Sequence, residues 1–245
     1  MPKNINSASR LVALLKSIPG HPDNTQTLEV WTKLFNIAEA NPHKRAASVS
    51  EHLNAMYREV ELVRQRMETA NYSEELYSRA IANVENALST MLLSGTWNLA
   101  RQYLTAETFV ALSFCAEILP DEEEPITADV LANIAAQVQE LENSLTGPEI
   151  PPRLRRLIEH HIALIRRALA EYPITGANAF REAARTGLGE IVEISDTLES
   201  SGETPQVIQL GALWKAFNDA ADVALKGEKI VQLAHKTWGL LGGLF

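Results

Sequence analysis

Apolar residues recur along this chain in steps of three and four. Val49, Leu53, Met56, Val60, Val63 and Met67 form one run, and Leu131, Ile134, Val138, Leu141 and Leu145 another. Leu154, Ile158, His161, Ile165, Ala168 and Tyr172 form a third. That spacing stacks side chains along one face of an α-helix. Nowhere do Val, Ile and Thr alternate over a length that would make a strand. Each seam needs a neighbour to cover it, so the pattern predicts an all-α, multi-helix bundle of about nine or ten helices.

Capping and breaking residues set the expected bounds. A first helix is predicted over residues 7–17, stopped by Pro19-Gly20. A second is predicted over 25–40, with Leu28, Trp31, Phe35 and Ala38 on its inner face. Asn41-Pro42 would end it, because a residue before proline avoids the helical region. A third is predicted over 44–70. Asn71 or Ser73 would cap the fourth, whose inward residues are Leu76, Ala80, Val84, Ala87 and Met91. Gly95 interrupts the pattern, and a short helix over 96–104 follows. Thr105 reads as the cap of a helix over 106–119, apolar nearly all round and therefore expected to be the most buried element.

Asp121-Glu-Glu-Glu-Pro125 reads as a charged surface loop, the candidate joint in what is otherwise a single helical domain over 1–245. Thr127 would cap the next helix, closed by Gly147-Pro148. Pro151-Pro152 pre-sets a helix expected to end at Tyr172, before Pro173. Helices over 177–198, 205–225 and from 228 onward complete the pattern. Gly187 and Gly189 are expected to weaken the first of these by about 1 kcal/mol each. No fixed-period repeat is evident.

The net charge of −9 over 245 residues argues against nucleic acid or an anionic membrane as a broad partner. The lone Cys115 lies in an apolar stretch and reads as a buried, inert thiol. Residues 11–15 are too short for a secretory core, and no apolar run reaches the length of a spanning helix. The expected compartment is the cytoplasm. No metal-ligand, nucleophile-elbow or phosphate-loop motif is present, so no cofactor is expected.

Three groups of residues depart from the pattern. Arg155-Arg156-Leu-Ile-Glu-His160-His161 places an arginine and a histidine with four residues between them twice over, Arg155 with His160 and Arg156 with His161. That spacing resembles the RNA-cleaving helical domains known as HEPN. The resemblance implies a histidine acting as acid or base on a ribose hydroxyl and an arginine holding the phosphate, at a dimer cleft. The residues also fit a core histidine with solvated arginines. Second, Arg153, Arg155, Arg156, Arg166, Arg167, Arg181 and Arg185 form a basic field in an acidic chain. It suits a phosphate-bearing ligand, nucleic acid or an acidic partner surface, although few aromatics interleave for single-strand binding, or else local pairs with Glu159, Glu171 and Glu182. Third, the end of the chain grows more apolar through Ile230, Ala234, Trp238, Leu241 and Phe245. It reads as a helix closing the bundle, with a membrane or partner probe as the sharper reading.

The segment 157–183 contains Glu-Tyr172-Pro-Ile174-Thr-Gly176 between two helical patterns. It resembles a helix–Tyr-x-Ile-x-Gly–helix module of uncharacterised bacterial all-helical proteins, and Gln102 to Thr108 fits the same likeness. The resemblance implies a helical hairpin with Tyr172 and Ile174 packed inward and Gly176 in the turn. It implies no activity.

These readings converge on a non-enzymatic helical interaction protein, set in a bacterial defence or toxin–immunity type system. Its expected partner is a protein, met through Arg153, Arg156, Arg166, Arg167, Arg181 and Arg185 or through Trp238, Leu241 and Phe245. Self-association stays open. The alternatives are a membrane-acting effector using the apolar terminus and a HEPN-like ribonuclease using Arg155, Arg156, His160 and His161.

Overall fold

A computed structural model describes residues 4–146, 150–201 and 204–225, with backbone alone at 188 and 191–201. The described residues form ten α-helices and two 3-10 turns, Glu74–Leu76 and Thr90–Leu92. The helices are α1 (Ser7–Lys16), α2 (Thr27–Leu34), α3 (Pro42–Thr69), α4 (Ser78–Ala87), α5 (Asn98–Arg101), α6 (Ala106–Ile118), α7 (Ala128–Ser144), α8 (Pro152–Thr175), α9 (Ala177–Ser201) and α10 (Pro205–Ala224). Extended pairing among these residues is limited to one bridge, Gln26 with Thr96. The fold is all-α. Two compact units divide the chain: the first runs up to Glu122 and takes in Pro173–Thr175, and the second holds Glu123–Tyr172 and the chain from Gly176 onward.

In the first unit α3 supplies the longest seam. Val49, Leu53, Met56, Val60, Val63 and Met67 are all buried, as their spacing requires. Leu11 and Leu15 of α1, Ile81 and Val84 of α4, and Leu112 and Cys115 of α6 share that core. Burial pushes the Cys115 thiol up to about 11, which makes it a poor nucleophile. The bridge segment joins the Thr27 N–H to the Gly95 carbonyl at 3.0 Å and the Trp97 N–H to the Thr25 carbonyl at 2.8 Å. It sets Trp97 edge-on to Trp31, with ring centroids 5.7 Å apart.

Several expected boundaries shift, each for a local reason. Helix α2 stops at Leu34 rather than near residue 40, because Asn36 takes a left-handed backbone (φ 52°). The Ile37 N–H then bonds the Thr32 carbonyl and the Asn36 N–H that of Lys33, the paired closure of a helix C-terminus. Asn71 (φ 59°) closes α3 in the same way and is not a cap for α4. Asn41 likewise opens α3 by accepting the His43 and Lys44 N–H groups. Leu76 and Met91 lie outside α4 and are exposed, while Tyr77, Ile81 and Leu88 take the inward places. The short helix expected over 96–104 is only Asn98–Arg101.

Helix α6 departs furthest from expectation. It is not the most buried element. Thr108, Leu112, Cys115 and Ala116 face the core, while Val110 is 71% exposed and Phe114 37%.

The acidic stretch at 121–125 is not simply a solvated loop. Asp121 accepts the Ile5 N–H at 2.6 Å, and Glu122 accepts both the N–H and the hydroxyl of Ser7 at the start of α1. A carboxylate there meets the unsatisfied donors and the positive end of the helix. Arg10 reaches Glu122 at 2.8 Å and the buried Glu59 at 2.7 Å, and Arg66 also pairs with Glu122. Burial nonetheless raises the Glu59 carboxyl above its usual range, outweighing Arg10.

In the second unit the neighbouring Glu123 is buried and accepts the Ala177 N–H at the start of α9. The Tyr172 hydroxyl accepts the Ile126 N–H at 2.8 Å, and the Glu124 N–H donates to the Ala224 carbonyl at 3.0 Å. Ile134, Val138 and Leu141 of α7 pack with Leu154, Ile158 and Ile165 of α8, Phe180 of α9, and Leu213, Trp214 and Phe217 of α10. Phe180 stacks on Phe217 with centroids 4.3 Å apart. Gly187 is more than a weak point in α9: a Cβ there would lie 2.6 Å from the Trp214 ring, so the missing side chain admits the indole.

Pro173 does not end α8, which runs on to Thr175. A proline inside a helix costs about 3 kcal/mol. The extra turn is held by burial of Ile174 in the first unit's core, by its carbonyl accepting Arg10 Nε at 3.2 Å, and by the Gly176 N–H bonding to the Tyr172 carbonyl. Gly176 then turns the chain at φ 61°.

Candidate functional site

The two arginine–histidine pairs on α8 have different fates. His161 lies on the apolar seam and is fully buried. Its ring meets Trp214 edge-on at 5.7 Å. Burial holds its imidazole down, to about 4, and the neighbouring His160 adds to the effect. Glu190 Oε2, 3.9 Å away, does not offset this. His161 is therefore neutral at pH 7 and closed to solvent, which removes it from any surface cleft. His160 is 52% exposed, and its Nε2 lies 2.8 Å from Glu190 Oε1. Of the two spacings, Arg155 with His160 is the one whose imidazole reaches water. Arg156 is exposed, its Nε 3.4 Å from the Pro152 carbonyl.

The basic field is largely matched by local polar groups. Arg166 forms a two-pronged bond to Glu142 of α7, at 2.6 Å for each nitrogen, and also reaches Gln139. That hydrogen bond draws the Glu142 carboxyl below its usual range. Arg167 pairs with Glu171 at 2.9 Å, Arg181 bonds Asn178 at 2.9 Å, and Arg185 lies 3.4 Å from Glu182. Arg153 is exposed at the start of α8. Arg155 and Arg166 flank a groove of about 380 Å³ floored by Leu145, Ile162 and Ala163, but Glu142 and Glu159 stand on the same rim. Its charges balance, so it offers no strong field to an acidic ligand. Trp238, Leu241 and Phe245, with Ile230 and Ala234, lie outside the described residues.

Among the described residues, a group of exposed apolar and acidic side chains gathers on the first unit. Glu107, Val110, Phe114 and Glu117 fall on the outer face of α6, three and four residues apart, and all four are exposed. Tyr72, 41% exposed, stands edge-on to Phe114 with centroids 6.0 Å apart. Beside them a cleft of about 570 Å³ runs between α4 and α6. Leu76, Ala80 and Ala111 give it an apolar floor, Glu75, Arg79 and Glu107 a charged rim, and Asn83 and Gln102 its amides. Leu76 is half exposed. The Glu107 carboxyl is held below its usual range by backbone N–H at the α6 N-terminus and by the Thr105 hydroxyl, so it is ionised.

Sequence reasoning passed over this face because an all-apolar helix reads as a fully enclosed one. The available signal was the mismatch between a helix apolar on every side and the acidic residues Glu107 and Glu117 within it.

Among the described residues no cluster of three or more His, Cys, Asp and Glu side chains is arranged to hold a metal ion, and no helix is long and apolar enough to cross a membrane. Comparison of the chain with protein-family models, with curated proteins and with solved structures finds no match in any of the three.

Proposed function

We propose that this chain is a non-enzymatic interaction protein that recognises another protein through the outer face of α6. The observation that carries this reading is the exposure of Val110 and Phe114 on a helix whose inner face already fills its place in the core. Exposed single apolar residues are ordinary, but Val110 and Phe114 share one face of α6, Tyr72 stands edge-on to Phe114, and Leu76 lines the cleft into which Glu107 and Ala111 of α6 reach. Grouped apolar surface of this kind marks interaction sites. The arginines expected to make the contact are less suited to it, because Arg166, Arg167, Arg181 and Arg185 already meet Glu142, Glu171, Asn178 and Glu182.

The test is affinity capture from the native host with three forms of the chain. The unmodified protein and an Arg166→Glu, Arg167→Glu form should retain the same partner. A Val110→Asp, Phe114→Asp form should lose it. Loss in the arginine form alone would move the contact to α8 and overturn the assignment to α6.

A further inference from the structure

We propose that the face and cleft between α4 and α6 take a basic amphipathic helix of a partner protein. This rests on the interaction reading above and adds to it the chemistry of the partner. Two features of the surface specify it. The first is shape: an apolar strip along a helix, beside a cleft floored by Leu76, Ala80 and Ala111, suits residues repeating at three and four on a bound helix. The second is charge. Glu107 and Glu117 bracket Val110 and Phe114 on α6 itself, and Glu74 and Glu75 lie on the 3-10 turn that carries Leu76. All four acids are exposed, and among the described residues Arg79 is the single basic one lining the cleft. Lys and Arg flanking the apolar seam of a partner helix would complete both features.

The same charges weigh against other occupants. A second copy placed on a two-fold axis would set this face against itself, acid against acid. An anionic membrane or a nucleic acid would meet the same rim in a chain of net charge −9. A basic helix gains from the field that repels these.

The experiment selects a random peptide library of helix-forming length on the full chain and measures the affinity of the winners. Expected are peptides with apolar residues at helical spacing and an excess of Lys and Arg. Their affinity should fall at least about tenfold with Glu107→Gln, Glu117→Gln and again with Val110→Asp, Phe114→Asp, and it should weaken with added salt. Circular dichroism melts confirm that each variant is folded. Winners that are neutral or acidic but still lost with Val110→Asp, Phe114→Asp overturn the basic-helix proposal and leave the interaction reading in place. Winners indifferent to both pairs of substitutions overturn both. Binding of phosphatidylcholine or phosphatidylserine vesicles through Val110 and Phe114, in place of peptides, overturns the proposal in favour of a lipid surface.

Discussion

His161 occupies a seam position that its spacing predicts for an apolar side chain, and the fold treats it as one. Its imidazole is neutral because burial holds its protonation down to about 4, against an ordinary value of 6.5. A base with a depressed folded value binds protons less readily folded than unfolded. The stability it supports is complete above pH 6.5 and is lost as pH falls toward 4. At full shift the loss is roughly 3 kcal/mol. Urea unfolding at pH 7.5 and pH 4.5 should therefore show a steeper acid loss for the unmodified chain than for His161→Phe; equal losses would mean that the imidazole is not desolvated as described. Asn218 is a second polar group in the same core. It is fully buried, and among the described residues neither its amide nitrogen nor its oxygen has a hydrogen-bond partner. Asn218→Leu should stabilise the chain by about 1–2 kcal/mol in denaturant unfolding. Gly176 is fixed twice over, by φ 61° and by the Glu123 carboxylate where a Cβ would stand. Gly176→Ala should cost more than about 2 kcal/mol, and a neutral result would contradict the capping of α9 by Glu123.

At the scale of elements, the seams of α3, α7 and α8 were legible because apolar spacing reports directly which face is covered. Boundaries were less legible where tertiary contacts overrode local preference. Nothing local to Asn36 distinguishes a left-handed closure from a helical turn, since the pattern Leu28, Trp31, Phe35 and Ala38 continues past it. Pro173 read as a stop because its intrinsic cost is visible in sequence, whereas the burial of Ile174 that offsets it is not. If that burial holds the last turn of α8, Ile174→Ala should destabilise the chain by about 2–5 kcal/mol. A loss below about 1 kcal/mol would return the end of the helix to Tyr172. The candidate site was less legible still. Arginine and histidine spacings drew attention to α8, where the basic groups have local partners. In sequence the exposed face of α6 is hinted at only by Glu107 and Glu117; it becomes plain once Thr108, Leu112, Cys115 and Ala116 are seen to fill the core side.

Over the whole molecule, each of the two units holds its own apolar core, and the adjacent Glu122 and Glu123 each cap a helix in a different unit. This arrangement explains the acidic run at 121–125 by helix-end electrostatics rather than by solvation. Among the described residues, the outer face of α6 is a group that the packing of the first unit does not require. The most direct measurement pairs chemical unfolding with partner retention for Val110→Asp, Phe114→Asp. Recognition through this face predicts a stability within about 0.5–1 kcal/mol of the unmodified chain and a partner that is no longer retained. A variant that unfolds several kcal/mol more easily, or that keeps the partner at unchanged affinity, would contradict it.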